Sequence, residues 1–178
     1  RIATTGVALS VFTSMAESIL NLSGVKLLGD VLDVGESYGV IYNISKDTID
    51  EVCVDLLEGS IDEKSIQGEY DVCTIFFYLS NLWRESARVQ LINEVSKLIK
   101  VGGEIYIWDI NKEMGEVSNN KVMAVLPSGK IKEFEFKNLN PISTSNIDNT
   151  KKMLENMYSI KEEKLWEDIF FIRGEKIK

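Results

Sequence analysis

The chain is 178 residues long, 44% hydrophobic and 27% charged, with a net charge of −8. That length suits one domain with a sizeable core, and the acidic balance argues against a nucleic-acid partner, which needs a basic patch. Histidine is absent, which removes the commonest general base, the Ser-His and Cys-His dyads and most catalytic zinc sites.

Residues 1–28 read as an N-terminal helix, because Val11, Met15, Ile19 and Leu22 fall at helical spacing and Gly24 offers a stop. No basic segment precedes the apolar run 6–12, so it does not read as a signal peptide. No apolar run reaches bilayer length, and the chain reads as cytoplasmic, with no membrane partner. "DVLDVG" (30–35) is a short buried strand ending at glycine, and "YDVCTIFFYL" (70–79) is a longer one. Such continuous apolarity belongs to strands buried on both faces of a parallel sheet. Residues 84–100 form the clearest helix, with Ala87, Leu91, Val95 and Leu98 as its stripe. "VGG" (101–103) stops it and "EIYIWDI" (104–110) is the next strand, completing a parallel crossover. "MGEVSNN" (114–120) reads as a flexible loop, and 121–137 as a β-hairpin around "PSGK". A short helix (146–157) and an antiparallel strand pair around Glu167 and Asp168 close the chain. Cys53 and Cys73 sit inside apolar runs and read as buried thiols; no metal site is expected.

The run "VLDVGESYG" (31–39) carries the chemistry. A strand ends in Asp33, followed by Gly35 and Gly39, and glycine lets backbone approach a ligand closely. The spacing does not fit the G-x-G-x-x-G of dinucleotide dehydrogenases. An acid two residues before the first glycine resembles the class I S-adenosylmethionine-dependent methyltransferases, whose first motif reads like VLDxGxGxG. Ser37 replaces the middle glycine, flanked by Glu36 and Tyr38. The resemblance extends through "EYDVCTIFFYLSNL" (69–82), "LIKVGGEIYIWDINK" (98–112) and "MLENMYSIKEEKLWEDIFFIRGEK" (153–176).

This resemblance implies an α/β fold: a Rossmann-like, doubly wound sheet, mostly parallel with an antiparallel last strand, in a single domain over 1–178. The 1–28 helix is then a lid over the cofactor pocket and the hairpin a small insertion, both apolar enough for lid or homodimer surface. It implies S-adenosylmethionine as cofactor and methyl transfer to a small molecule or a protein side chain. A binding or regulatory module with a degraded site is the alternative, favoured by Ser37 and Ser60, both off the family pattern. The implied cofactor contacts are Asp33, Gly35, Glu36, Ser37, Gly39, Asp55, Ser60, Ile61, Phe77 and Tyr78. Asp55 would hold the ribose diol; Ser60 and Ile61 would lie along the adenine, with Asp62 able to replace the family's acid there. Asn81, Trp83, Asp109 and Asn111 are candidates for acceptor contacts. A base would have to come from Glu36, Tyr38, Tyr78 or Asp109, with no choice among them.

"EVCVDLLEGSIDE" (51–63) reads as two strand ends fused between Asp55 and Leu56. Either a segment is absent there or the fold has lost one crossover. Parallel neighbours need a crossover of a dozen or more residues, which favours the absent segment.

Overall fold

A computed structural model describes residues 15–35, 37–46 and 69–178, together with the backbone of 53–57. Among these residues nine strands form two sheets, with three α-helices. The strands are β1 (Ala16–Asn21), β2 (Asp30–Val34), β3 (Cys53–Leu57), β4 (Tyr70–Phe76), β5 (Ile99–Ile110), β6 (Ser118–Val125), β7 (Ile131–Asn138), β8 (Tyr158–Leu165) and β9 (Ile169–Lys176). The helices are α1 (Val40–Lys46), α2 (Glu85–Ser96) and α3 (Ile147–Leu154).

The larger sheet runs β3-β2-β4-β5-β9-β8. Its first four strands are parallel and its last two antiparallel. Alternation along β4 splits the core in two. Cys73 and Ile75 join Ile92 and Val95 of α2 and Leu154 of α3 on one face. Val72 and Phe76 face α1 and the smaller sheet on the other. That smaller sheet, β1-β6-β7, pairs β1 parallel to β6 and β6 antiparallel to β7.

Three expectations need correction. The stretch 16–21 is a strand, not part of a helix: Ile19 is 65% exposed while Leu20 and Leu22 are fully buried, a two-residue period that the helical stripe had ignored. The hairpin is no isolated insertion, because β1 joins it to make a second sheet. Cys53–Leu57 is one strand, in unbroken register with Asp30–Val34, so the fused run supplies a single strand through Asp55 and Leu56. Residues 1–14 and the 58–68 half of that run lie outside the described residues.

Candidate functional site

β2 delivers Asp33 to the face that carries α1. Asp33 is in register with Thr74 on β4, so both side chains share that face, and the Thr74 hydroxyl donates to Asp33 Oδ1 at 2.9 Å. The Ser37 hydroxyl donates to the same oxygen from the turn beyond the strand. Asp33 is 4% exposed, and burial pushes its carboxyl up to about 6 against the pull of these two donors. Among the described residues Oδ2 accepts nothing.

Four described residues of the turn have positive φ. Gly35 has φ 78°, Ser37 47°, Tyr38 51° and Gly39 74°. Two of these are not glycine, and such conformations cost of order 1–3 kcal/mol each unless their surroundings hold them. Here the surroundings are specific. Ser37 is bonded to Asp33, and the Tyr38 ring stacks on Phe134 of β7 with centroids 4.4 Å apart. Phe77, also left-handed at φ 50°, donates its N–H to the Trp108 carbonyl and packs against Phe134 and Phe136. β7 therefore lies across the glycine turn. A Cβ on Gly39 would come within 4.0 Å of Lys132 Nζ, and one on Gly35 within 2.8 Å of the Tyr78 ring.

Asp33, Gly35, Ser37, Gly39, Phe77 and Tyr78 thus converge at the carboxyl ends of β2 and β4, where open α/β sheets bind ligands. Glu36, Ser60, Ile61 and Asp62 lie outside the described residues. Asp55 sits opposite Leu32, two residues short of the end of β3, and not at its terminus; the acid next in sequence after Leu57 is Glu58. Asp109 is fully buried at the end of β5, and its oxygens accept the backbone N–H groups of Ser80 and Ile110 at 2.9 and 2.7 Å. It clamps the turn after β4, and burial pushes its carboxyl up to about 6 against the pull of these donors. Burial, and then the charge of Asp109, raise the Tyr38 phenol further above its ordinary value, which keeps it protonated at neutral pH. Asn81 and Trp83 are exposed on the turn and loop that follow β4, and Asn111 is half-buried beyond β5.

Sequence reasoning missed Thr74, Lys132 and Phe134. Thr74 was findable, being the lone polar residue in the apolar run 72–77. The alternation "KEFEF" marks Phe134 and Phe136 as one face of a strand, but no local signal says what that face covers.

The fold is that of S-adenosylmethionine-dependent methyltransferases. The Burkholderia thailandensis 1,6-didemethyltoxoflavin-N1-methyltransferase, solved with 1,6-didemethyltoxoflavin and S-adenosylhomocysteine, superposes with a TM-score of 0.57 at 9% identity, over 84% of this chain and 71% of that one. A methyltransferase from Aquifex aeolicus gives 0.57 at 14% identity over 87% and 86%. The CcbJ methyltransferase from Streptomyces caelestis gives 0.57 at 12% over 84% of each. No family model and no curated protein matches the sequence.

Proposed function

We propose that the chain transfers a methyl group from S-adenosylmethionine to a small molecule bound beside the glycine turn. The observation that carries this is the Asp33–Gly39 turn: a buried acid with one oxygen that accepts nothing among the described residues, beside four residues of positive φ, at the edge where open α/β sheets bind ligands. Those residues fit the cofactor. Asp33 Oδ2 would accept from its amino group, and the Gly35 backbone would allow close approach. The cofactor, when bound, supplies an electrophilic methyl on a sulfonium. The chain's own contribution is alignment, because proximity and orientation alone can supply much of the rate of an in-line displacement. The absence of histidine and the engagement of Asp109 and Tyr38 agree with chemistry that leans on positioning.

One observation favours a second reading, a binding module without catalysis. Tyr78 rests on Gly35 at the point where a ligand would approach, so that ring must swing aside before the turn can be used. Calorimetric titration with S-adenosylmethionine, S-adenosylhomocysteine and NAD separates the readings. Binding of the first two and not of NAD is expected. A folded protein that gives no heat with any of them at millimolar concentration would leave only the second reading.

A further inference from the structure

We infer that the gap at Gly39, between Asn43 and Lys132, seats a carboxylate, the one carried by the amino-acid end of the methyl donor. A Cβ added to Gly39 would stand 3.7 Å from Asn43 Nδ2 and 4.0 Å from Lys132 Nζ. There is room for one more heavy atom at that point, and its two nearest neighbours outside the local backbone are both nitrogen donors. The Asn43 amide donates to the Gly39 carbonyl at 2.7 Å, which holds it in place. Its second N–H is engaged by no described residue. The Lys132 ammonium sits on a flexible four-carbon stem and can close onto an oxygen placed there.

β7 aims Lys132 at the turn. Strand alternation puts it on the same face as Phe134 and Phe136, and the Phe134 ring is stacked on Tyr38. Glu133 belongs to the opposite face and pairs with Lys121 at 3.5 Å. Among the described residues no carboxylate pairs with Lys132, so its charge is open to a ligand. One ammonium and one amide suit a monoanion. The same turn starts at Asp33, whose Oδ2 accepts nothing among the described residues. An acceptor at the start of the turn and donors at its end match a ligand that carries an ammonium and a carboxylate together, as an α-amino acid does. S-adenosylmethionine carries that group, so the inference rests on the function proposed above. A carboxylate on the methyl acceptor is the other source of such an oxyanion, and the test separates the two.

The test is a calorimetric comparison of S-adenosylmethionine with its decarboxylated form, which lacks only that carboxylate. The parent should bind the intact donor roughly tenfold more tightly, the low end for a hydrogen bond to a charged group. Lys132→Met should erase the preference and Lys132→Arg should keep most of it. Lys137→Met removes the same charge from the other face of β7 and should behave like the parent. Lys132 and Lys137 are both exposed, so the unfolding midpoints of these variants should match the parent's. A parent that binds both forms equally overturns the inference, and so does a preference that survives in Lys132→Met. Either result leaves the methyl-donor reading standing, whereas a folded parent that binds neither form removes that reading and this inference together.

Discussion

Asp33 joins the fold's stability to its function. Its carboxyl, pushed up to about 6, keeps a proton in the folded state that the unfolded chain has already released above about pH 4. In that window the folded state binds more protons, so the Asp33 contribution to stability falls as pH rises from about 4 through about 6. Asp33→Asn keeps an acceptor for Ser37 and Thr74 and removes the desolvated charge. It should therefore stabilise the protein at pH 8 by roughly 1–3 kcal/mol in urea unfolding, and gain little at pH 4. The same substitution should abolish S-adenosylmethionine binding, since the free carboxylate oxygen is lost. A variant that is no more stable at pH 8 than the parent would place the Asp33 titration elsewhere. Gly35→Ala is a second residue-scale test. Its φ of 78° is strained for any side chain, and its Cβ would lie 2.8 Å from the Tyr78 ring. Destabilisation of about 1–2 kcal/mol is expected from the backbone alone. Adding Tyr78→Ala should recover the steric part, and a double-mutant cycle that shows no coupling would remove Tyr78 from the turn. Much of this site was legible as sequence, because an acid, two glycines and a small residue are local signals. The end of β3 was not. The "VCVD" run looked like a complete strand, and only pairing with β2 shows that two more residues follow Asp55 before the strand ends. Comparing Asp55→Ala with Glu58→Ala by calorimetry assigns the ribose contact: a loss of about ten- to a hundredfold in affinity is expected in whichever acid meets the ribose.

Elements with strong internal periodicity were readable; elements defined by a partner were not. The β4–α2–β5 crossover and the closing β8–β9 pair follow from apolar runs and a helical stripe, but the expected glycine stop is not where the helix ends: α2 stops at Ser96, and 101–103 lie inside β5. β1 was misread because Met15, Ile19 and Leu22 happen to fall at helical spacing, while its strand state is dictated by pairing with β6, about a hundred residues away. The 114–120 stretch looked like loop for a related reason: Ser118, Asn119 and Asn120 are poor strand formers by composition, yet they open β6 opposite Phe136–Asn138. β7 has the largest functional consequence, because Phe134 bridges Tyr38, Phe76 and Phe77. Phe134 is 7% exposed, so Phe134→Ala should cost about 3 kcal/mol through a cavity and loosened ring contacts. The neighbouring Glu133→Ala removes only an exposed ion pair with Lys121 at 3.5 Å and should cost less than about 1 kcal/mol. Equal unfolding midpoints for the two variants would contradict this account of β7.

At the scale of the whole molecule, the two sheets share one of the two core clusters, and the glycine turn lies at their junction. α1 and the smaller sheet cover the same face of the larger one, and among the described residues β7 roofs the carboxyl ends of β2 and β4. The Tyr38 ring on Phe134 ties that roof to the turn, and beside it Phe77, just beyond β4, packs on Phe134 and Phe136. A ligand that orders the turn must then also order the sheet above it, since the stacked rings cannot relax independently. Bound ligand stabilises the state it binds, by about 2.7 kcal/mol at a hundredfold excess over Kd. That stabilisation should be visible as slower amide exchange wherever the coupled unit extends. With S-adenosylhomocysteine, protection is expected to rise in 30–46 and also across β6 and β7, while α3 and β8, on the far side and edge of the larger sheet, stay unchanged. Exchange–mass spectrometry in the presence and absence of the ligand resolves these segments. Protection confined to 30–46 would mean that the turn binds its ligand without the roof. Protection spread evenly over all peptides would instead report global stabilisation, with no special coupling between turn and hairpin.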